Sequence, residues 1–140
     1  MNEKYFNLRL HSTYHGDENT IDELNVEILV DNKWELMDLN IRSAGFLLFI
    51  NGLFSCQHLY MRANSAECSL LLESATGELQ VDTDEDWHIN NATVSFNARL
   101  RSGTPTQDNI NYITERMTHC PVSSNLPDKI TLTNTVNFEK

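Results

Sequence analysis

Gly45-Phe46-Leu47-Leu48-Phe49-Ile50-Asn51-Gly52-Leu53-Phe54-Ser55-Cys56-Gln57-His58-Leu59-Tyr60 is the most apolar run of the chain. Phe46, Phe49, Ile50, Leu53, Cys56 and Tyr60 recur at intervals of three and four, the spacing of one helical face. Leu47, Leu48 and Phe54 carry apolar character around the rest, which predicts a central helix covered on most sides. Ser43 is placed to cap it, and it should end near Arg62-Ala63-Asn64-Ser65. Polar residues interrupt the run, and it falls short of the ~20 largely apolar residues that cross a bilayer.

On either side the period changes to two. Residues 5–10 partly alternate, and Leu24, Val26 and Ile28 share one face of residues 24–30. His15-Gly16-Asp17-Glu18-Asn19 and Asp31-Asn32-Lys33 are turn sequences. A small antiparallel sheet is therefore expected before the helix. After it, residues 68–73 and 78–81 read as strands around a turn at Ala75-Thr76-Gly77, and Ala92, Val94, Phe96 and Ala98 alternate in a third strand. Thr104 can cap a second helix, with Pro105 at its first position and Gln107 closing a capping box. Ile110, Ile113, Met117 and Cys120 follow at helical spacing, and Pro121 should end that helix at Cys120. Ile130, Leu132 and Val136 mark a last strand. The order predicts an α+β fold, helices against mostly antiparallel sheet. No repeat, linker or low-complexity segment divides the chain, so residues 1–140 are expected to form one domain.

The chain carries a formal net charge of −10. That balance argues against nucleic acid, whose phosphates need a basic footprint, and against an anionic membrane surface. The N-terminus reads without a basic segment and apolar core of the secretory type, so the reducing cytoplasm is the expected compartment. There the three cysteines are thiols rather than a disulfide framework.

Cys56 and Cys120 each fall late on the apolar face of a predicted helix. Two helices packed on one core could bring the thiols together; equally, both could be small buried hydrophobes. Cys68 falls at a strand start, with no partner suggested. A metal set from Cys56, His58, His119 and Cys120 is not expected. Residues 56 and 58 point about 200° apart on a helix, and no Cys-x-x-Cys pair is present. Asp82-Thr83-Asp84-Glu85-Asp86 alternates carboxylates as a calcium loop does, but Trp87 stands at the sixth position and Thr93 at the twelfth, so it reads as a solvated acidic turn.

Cys120-Pro121-Val122-Ser123, ending a predicted helix ahead of a terminal strand, resembles the C-terminal motif of the OsmC/Ohr family. The run from Leu47 to Cys56 is similar to that family's central helix, which carries its first cysteine. The resemblance spans about residues 24–138. It implies OsmC-like antiparallel sheets with a long central helix and a second helix, in an intertwined homodimer with two sites at the interface. It implies thiol-dependent reduction of hydroperoxides, organic ones especially. Cys56 is then similar to the peroxidatic cysteine and Cys120 to the resolving one. A cellular dithiol would reduce the resulting disulfide, with no cofactor. In the family an arginine and a helix glutamate organise the thiolate. Here Phe46 stands where the Ohr branch has its glutamate, and Arg9 and Arg42 are the only arginines before Cys56. An apolar pocket raises a thiol pKa, so a useful thiolate at Cys56 calls for a nearby cation, and Arg42 or Arg9 are the candidates. Phe46, Phe49, Phe54 and Tyr60 are the candidate lining for an organic hydroperoxide. The alternative is a small-molecule-binding or thiol-sensing member of the same fold, with no enzymatic activity.

Overall fold

The computed structural model describes residues 4–140. The first strands are β1 (Lys4–His15), β2 (Thr20–Val30) and β3 (Lys33–Leu36), followed by helix α1 (Gly45–Glu67). Then come β4 (Leu71–Thr83), β5 (Ile89–Ser102), α2 (Gln107–Met117), the single-turn α3 (Pro121–Ser124) and β6 (Thr131–Glu139). All six strands join one sheet in the order β3-β2-β1-β4-β5-β6. The expected N-terminal sheet is thus part of a larger one, because β1 pairs with β4 on its other edge. The pairing is antiparallel except at the end, where β6 runs parallel to β5. A parallel neighbour needs a crossover, and the segment carrying α2 and α3 supplies it.

Alternate residues of a strand face opposite sides. Leu8, Leu10, Ser12 and Tyr14 of β1 are buried toward α1, as are Leu79 and Val81 of β4 and Ala92, Val94, Phe96 and Ala98 of β5. On α1 the buried stripe is Ile50, Leu53, Phe54, Gln57, His58, Met61, Asn64 and Ser65. This is rotated from the face expected: Phe49 is exposed, and Cys56 and Tyr60 are half-buried. The helix is apolar nearly all round, so its periodicity does not choose the inward side. Its cap is Ala44 rather than Ser43, without a side-chain bond, because the Ser43 hydroxyl instead accepts from the Asn40 amide.

Three further boundaries differ. Residues 71–83 form one strand with no break at Gly77. Gly77 is there for space: a Cβ would lie 2.6 Å from the Phe96 ring. The cap of α2 is Thr106, its hydroxyl accepting from Asn109 N–H while the Asn109 side chain accepts from Thr106 N–H, so the box closes two residues later than expected. Cys68 is the C-cap residue of α1, not a strand start.

Candidate functional site

The apolar stripe of α1 fixes Gln57 in the interior, fully buried. Its amide nitrogen donates to the Met117 carbonyl at 2.7 Å, at the end of α2, and to Cys120 Sγ at 3.2 Å. The first bond sets the amide's orientation, since a flip would oppose two carbonyl oxygens. The Gln57 carbonyl oxygen is left buried, with no partner among the described residues.

Pro121 cannot continue α2 and instead opens α3, with Cys120 as its N-cap residue. The Ser123 amide donates to Cys120 Sγ at 3.3 Å, and the Ser123 hydroxyl lies 3.1 Å from the same sulfur. The Cys56 thiol, one position before Gln57, completes the group: it lies near enough to Cys120 for each thiol to act on the other's ionisation. Cys120 is fully buried and Cys56 half-buried. Both are free thiols.

The two sulfurs differ electrostatically. Burial pushes the Cys56 thiol up to about 11, and its bond to Cys120 adds to the rise, against a smaller downward pull from the Val122 amide. Burial acts on Cys120 in the same upward sense, but bonds from Cys56, Ser123 and Gln57 outweigh it and hold that thiol below its ordinary value. The surroundings thus favour the charged form more at Cys120 than at Cys56.

The arginines stand elsewhere. Arg9 alternates with the inward residues of β1 and so projects from the sheet face opposite α1. There it pairs with Glu27 at 2.8 Å and lies over the Trp34 ring at 4.2 Å. It lines a cavity of about 500 Å³ with His11, Glu27, Thr76, Glu78 and Asn97. Arg42 is exposed in the segment before α1, its amide bound to Asn40. Neither is among the groups that act on Cys56 within the chain.

The aromatic candidates separate as well. Phe54 is fully buried, stacked with Phe96 at 6.1 Å between ring centroids. It is core rather than pocket lining. Phe46 packs with Phe6 and Trp87, pinning the start of α1 to the sheet. Phe49 and Tyr60 lie on the outer side of the helix with Cys56. His58 points into the core, opposite Cys56, and bonds the Tyr14 hydroxyl at 2.6 Å. His119 is exposed and paired with Glu115. In the acidic loop Asp84 accepts the Asp86 and His88 amides.

Gln57 and Ser123 escaped the sequence reading. The signal was present: a polar residue at position 57 shares the i, i+3, i+4 face of Ile50, Leu53, Phe54 and Met61, which marks a buried amide that needs partners.

No family model matches the chain, and no curated protein is significantly similar to it in sequence. Several solved structures share its fold. An OsmC-like hydroperoxide resistance protein from Jannaschia sp. CCS1 superposes with TM-score 0.54 at 16% identity, over 86% of this chain and 85% of that one. An OsmC-like protein from Mycoplasma pneumoniae gives 0.56 at 8% identity, covering 93% and 96%. A protein from Psychrobacter arcticus 273-4, assigned to osmotic stress and detoxification responses, gives 0.57 at 12%, covering 90% and 93%. The chain therefore has the OsmC-like α+β fold, and the resemblance noted in the sequence holds at the level of the fold. Among the described residues no helix is long and apolar enough to cross a membrane.

Proposed function

We propose that this chain is a divergent OsmC/Ohr-type thiol peroxidase that reduces organic hydroperoxides. The observation that carries the reading is the meeting of Cys56 from α1 with Cys120 from the α2–α3 junction, on a fold shared with a hydroperoxide resistance protein. The Cys56 sulfur attacks the peroxide, releases an alcohol and is left as a sulfenic acid. Cys120 condenses with it, releasing water, and a cellular dithiol reduces the disulfide. The reaction needs no cofactor, and the cytoplasm supplies the reductant.

The working form is a homodimer joined along α1. Its outer side carries no charge from Ser43 to Met61. Phe49 and Leu59 are 44% and 43% exposed there, and Gly45 and Gly52 open onto empty space. The apolar face of β2 is covered only in part: Val26 packs against the core, while Leu24 is exposed. An arginine facing Cys56, Arg9 or Arg42, comes from the partner chain in this reading.

The test is consumption of tert-butyl hydroperoxide by the reduced protein with a dithiol reductant, beside Cys56→Ser. Loss of turnover in the variant is expected. A wild-type rate no higher than that of a free thiol would discard the enzyme and favour the thiol-sensing alternative, which the raised Cys56 thiol supports.

A further inference from the structure

Two N–H donors besides Cys56 converge on Cys120 Sγ, the Gln57 amide and the Ser123 backbone amide, while the Ser123 hydroxyl beside the sulfur has the Thr118 and Cys120 carbonyls to donate to at 3.0 and 3.1 Å. The corresponding support at Cys56 is one backbone amide, from Val122. A sulfur that two N–H groups point at is an acceptor, and hydrogen bonds to the charged form favour that form. The remaining hydrogen on the pair then belongs on Cys56. Among the described residues no titratable group besides Cys56 acts on Cys120; His119, its neighbour in sequence, is exposed and paired with Glu115. Cys120 is also fully buried, so it is placed to meet Cys56 and not a substrate.

Resting on the peroxidase reading above, we propose that Cys120 is more than a resolving thiol: it is the base that activates Cys56, and Gln57 is the residue that positions it. Within one chain an internal thiolate thereby acts on Cys56, where Phe46 stands in place of a carboxylate and neither Arg9 nor Arg42 acts on the thiol. In the first step Cys56 sulfur attacks the distal oxygen of an alkyl hydroperoxide while its proton passes to Cys120. The S–O bond forms, the O–O bond breaks, and two electrons leave the sulfur. The departing alkoxide takes a proton from water, leaving hydroxide in solvent, and departs as the alcohol. Cys56 is now a sulfenic acid, and Cys120 carries the proton taken from it. In the second step the Cys120 sulfur attacks the Cys56 sulfur; the S–S bond forms, and the sulfenic hydroxyl leaves with the Cys120 proton as water. Charge and hydrogen balance, and one sulfur serves first as base and then as nucleophile. The chemistry follows the general pattern of a nucleophile activated by an adjacent base.

The experiment uses the full chain with Cys68→Ser, so that two thiols remain. Reduced protein is titrated by thiolate absorbance at 240 nm. One thiolate is expected at neutral pH, retained in Cys56→Ser and lost in Cys120→Ser. Gln57→Met should move its midpoint up by about one pH unit. Single-turnover formation of the Cys56 sulfenic acid with tert-butyl hydroperoxide, trapped by dimedone, reads the base role directly. Cys120→Ser should slow it about 100-fold at pH 7, with the rate recovering as pH rises. A purely resolving Cys120 leaves that first turnover unchanged, which overturns the proposal, as does a neutral-pH thiolate that survives Cys120→Ser and vanishes in Cys56→Ser. If the unsubstituted pair fails to react with hydroperoxide at all, the peroxidase reading falls, and the absorbance titration still decides which sulfur holds the charge.

Discussion

Asn19 holds the start of β2 against α1 and β4 through one side chain. It sits fully buried at φ +52°, a left-handed conformation that asparagine tolerates better than most residues. Its amide nitrogen donates to the Arg62 and Leu70 carbonyls, and its oxygen accepts from Leu72 N–H. Asn19→Ala strands these buried groups, and a loss of about 3 kcal/mol in urea unfolding is expected. His58 couples stability to pH. Burial, with the nearby Arg62 charge, lowers its pKa to about 4, and the hydroxyl it meets belongs to Tyr14, pushed up to about 12 by burial. Both are uncharged in the folded chain near neutrality. Because the unfolded chain binds a proton to this histidine at about 6.5, stability present above that pH is lost as pH falls toward 4, by about 3 kcal/mol in all. Urea midpoints should drop between pH 7 and pH 5, and the drop should shrink in His58→Gln. Equal slopes in the two proteins would remove His58 as the cause. The Gln57 carbonyl, buried without a partner among the described residues, costs about 1–3 kcal/mol.

At the scale of elements, α1 lies on the sheet through Phe54, Leu53 and Met61, and Phe96 of β5 rises between them over Gly77 of β4. Phe96 can occupy that space only while position 77 lacks a Cβ. Gly77→Ala puts a methyl group 2.6 Å from the ring, so the ring or the strand must shift, at about 1–3 kcal/mol. The measurement is the denaturant midpoint; a variant as stable as the parent would show that the ring moves freely. This glycine also explains why the strand could not be seen from composition. Ala75-Thr76-Gly77 has turn chemistry, and only the Phe96 ring across the β4–β5 ladder gives Gly77 a role inside a strand.

At the scale of the whole molecule, the sheet has helices of its own chain over β4 and β5 but covers the inner face of β2 only in part, and α1 turns an uncharged side outward. In the homodimer proposed above a second copy covers both surfaces. Phe49→Glu places a charge in the centre of that side and is expected to convert a dimer to monomer in sedimentation equilibrium at micromolar concentration. It should leave the far-ultraviolet circular dichroism in place. A parent protein that is already monomeric and folded would end the dimer proposal.

How much of this was legible in advance depends on which forces act locally. The α1 run, the alternation in β5 and the Pro121 break follow from side-chain periodicity and from the missing proline N–H, which are properties of neighbouring residues. So the helices, the strands and the α+β class could be read from the chain alone. The rotation of α1 could not, because a helix apolar on every side has no preferred inward face until a sheet is laid against it. The same rotation put Phe54 in the core, left Phe49 exposed and brought Gln57 to Cys120. Arg9 was placed on the far sheet face by strand register, which pairs it with Glu27. The two cysteines were visible as residues, but the division of proton and charge between them was decided by tertiary structure. The donors that surround Cys120 come from α1 and from the turn after Pro121, and only the packed fold brings those segments to one sulfur.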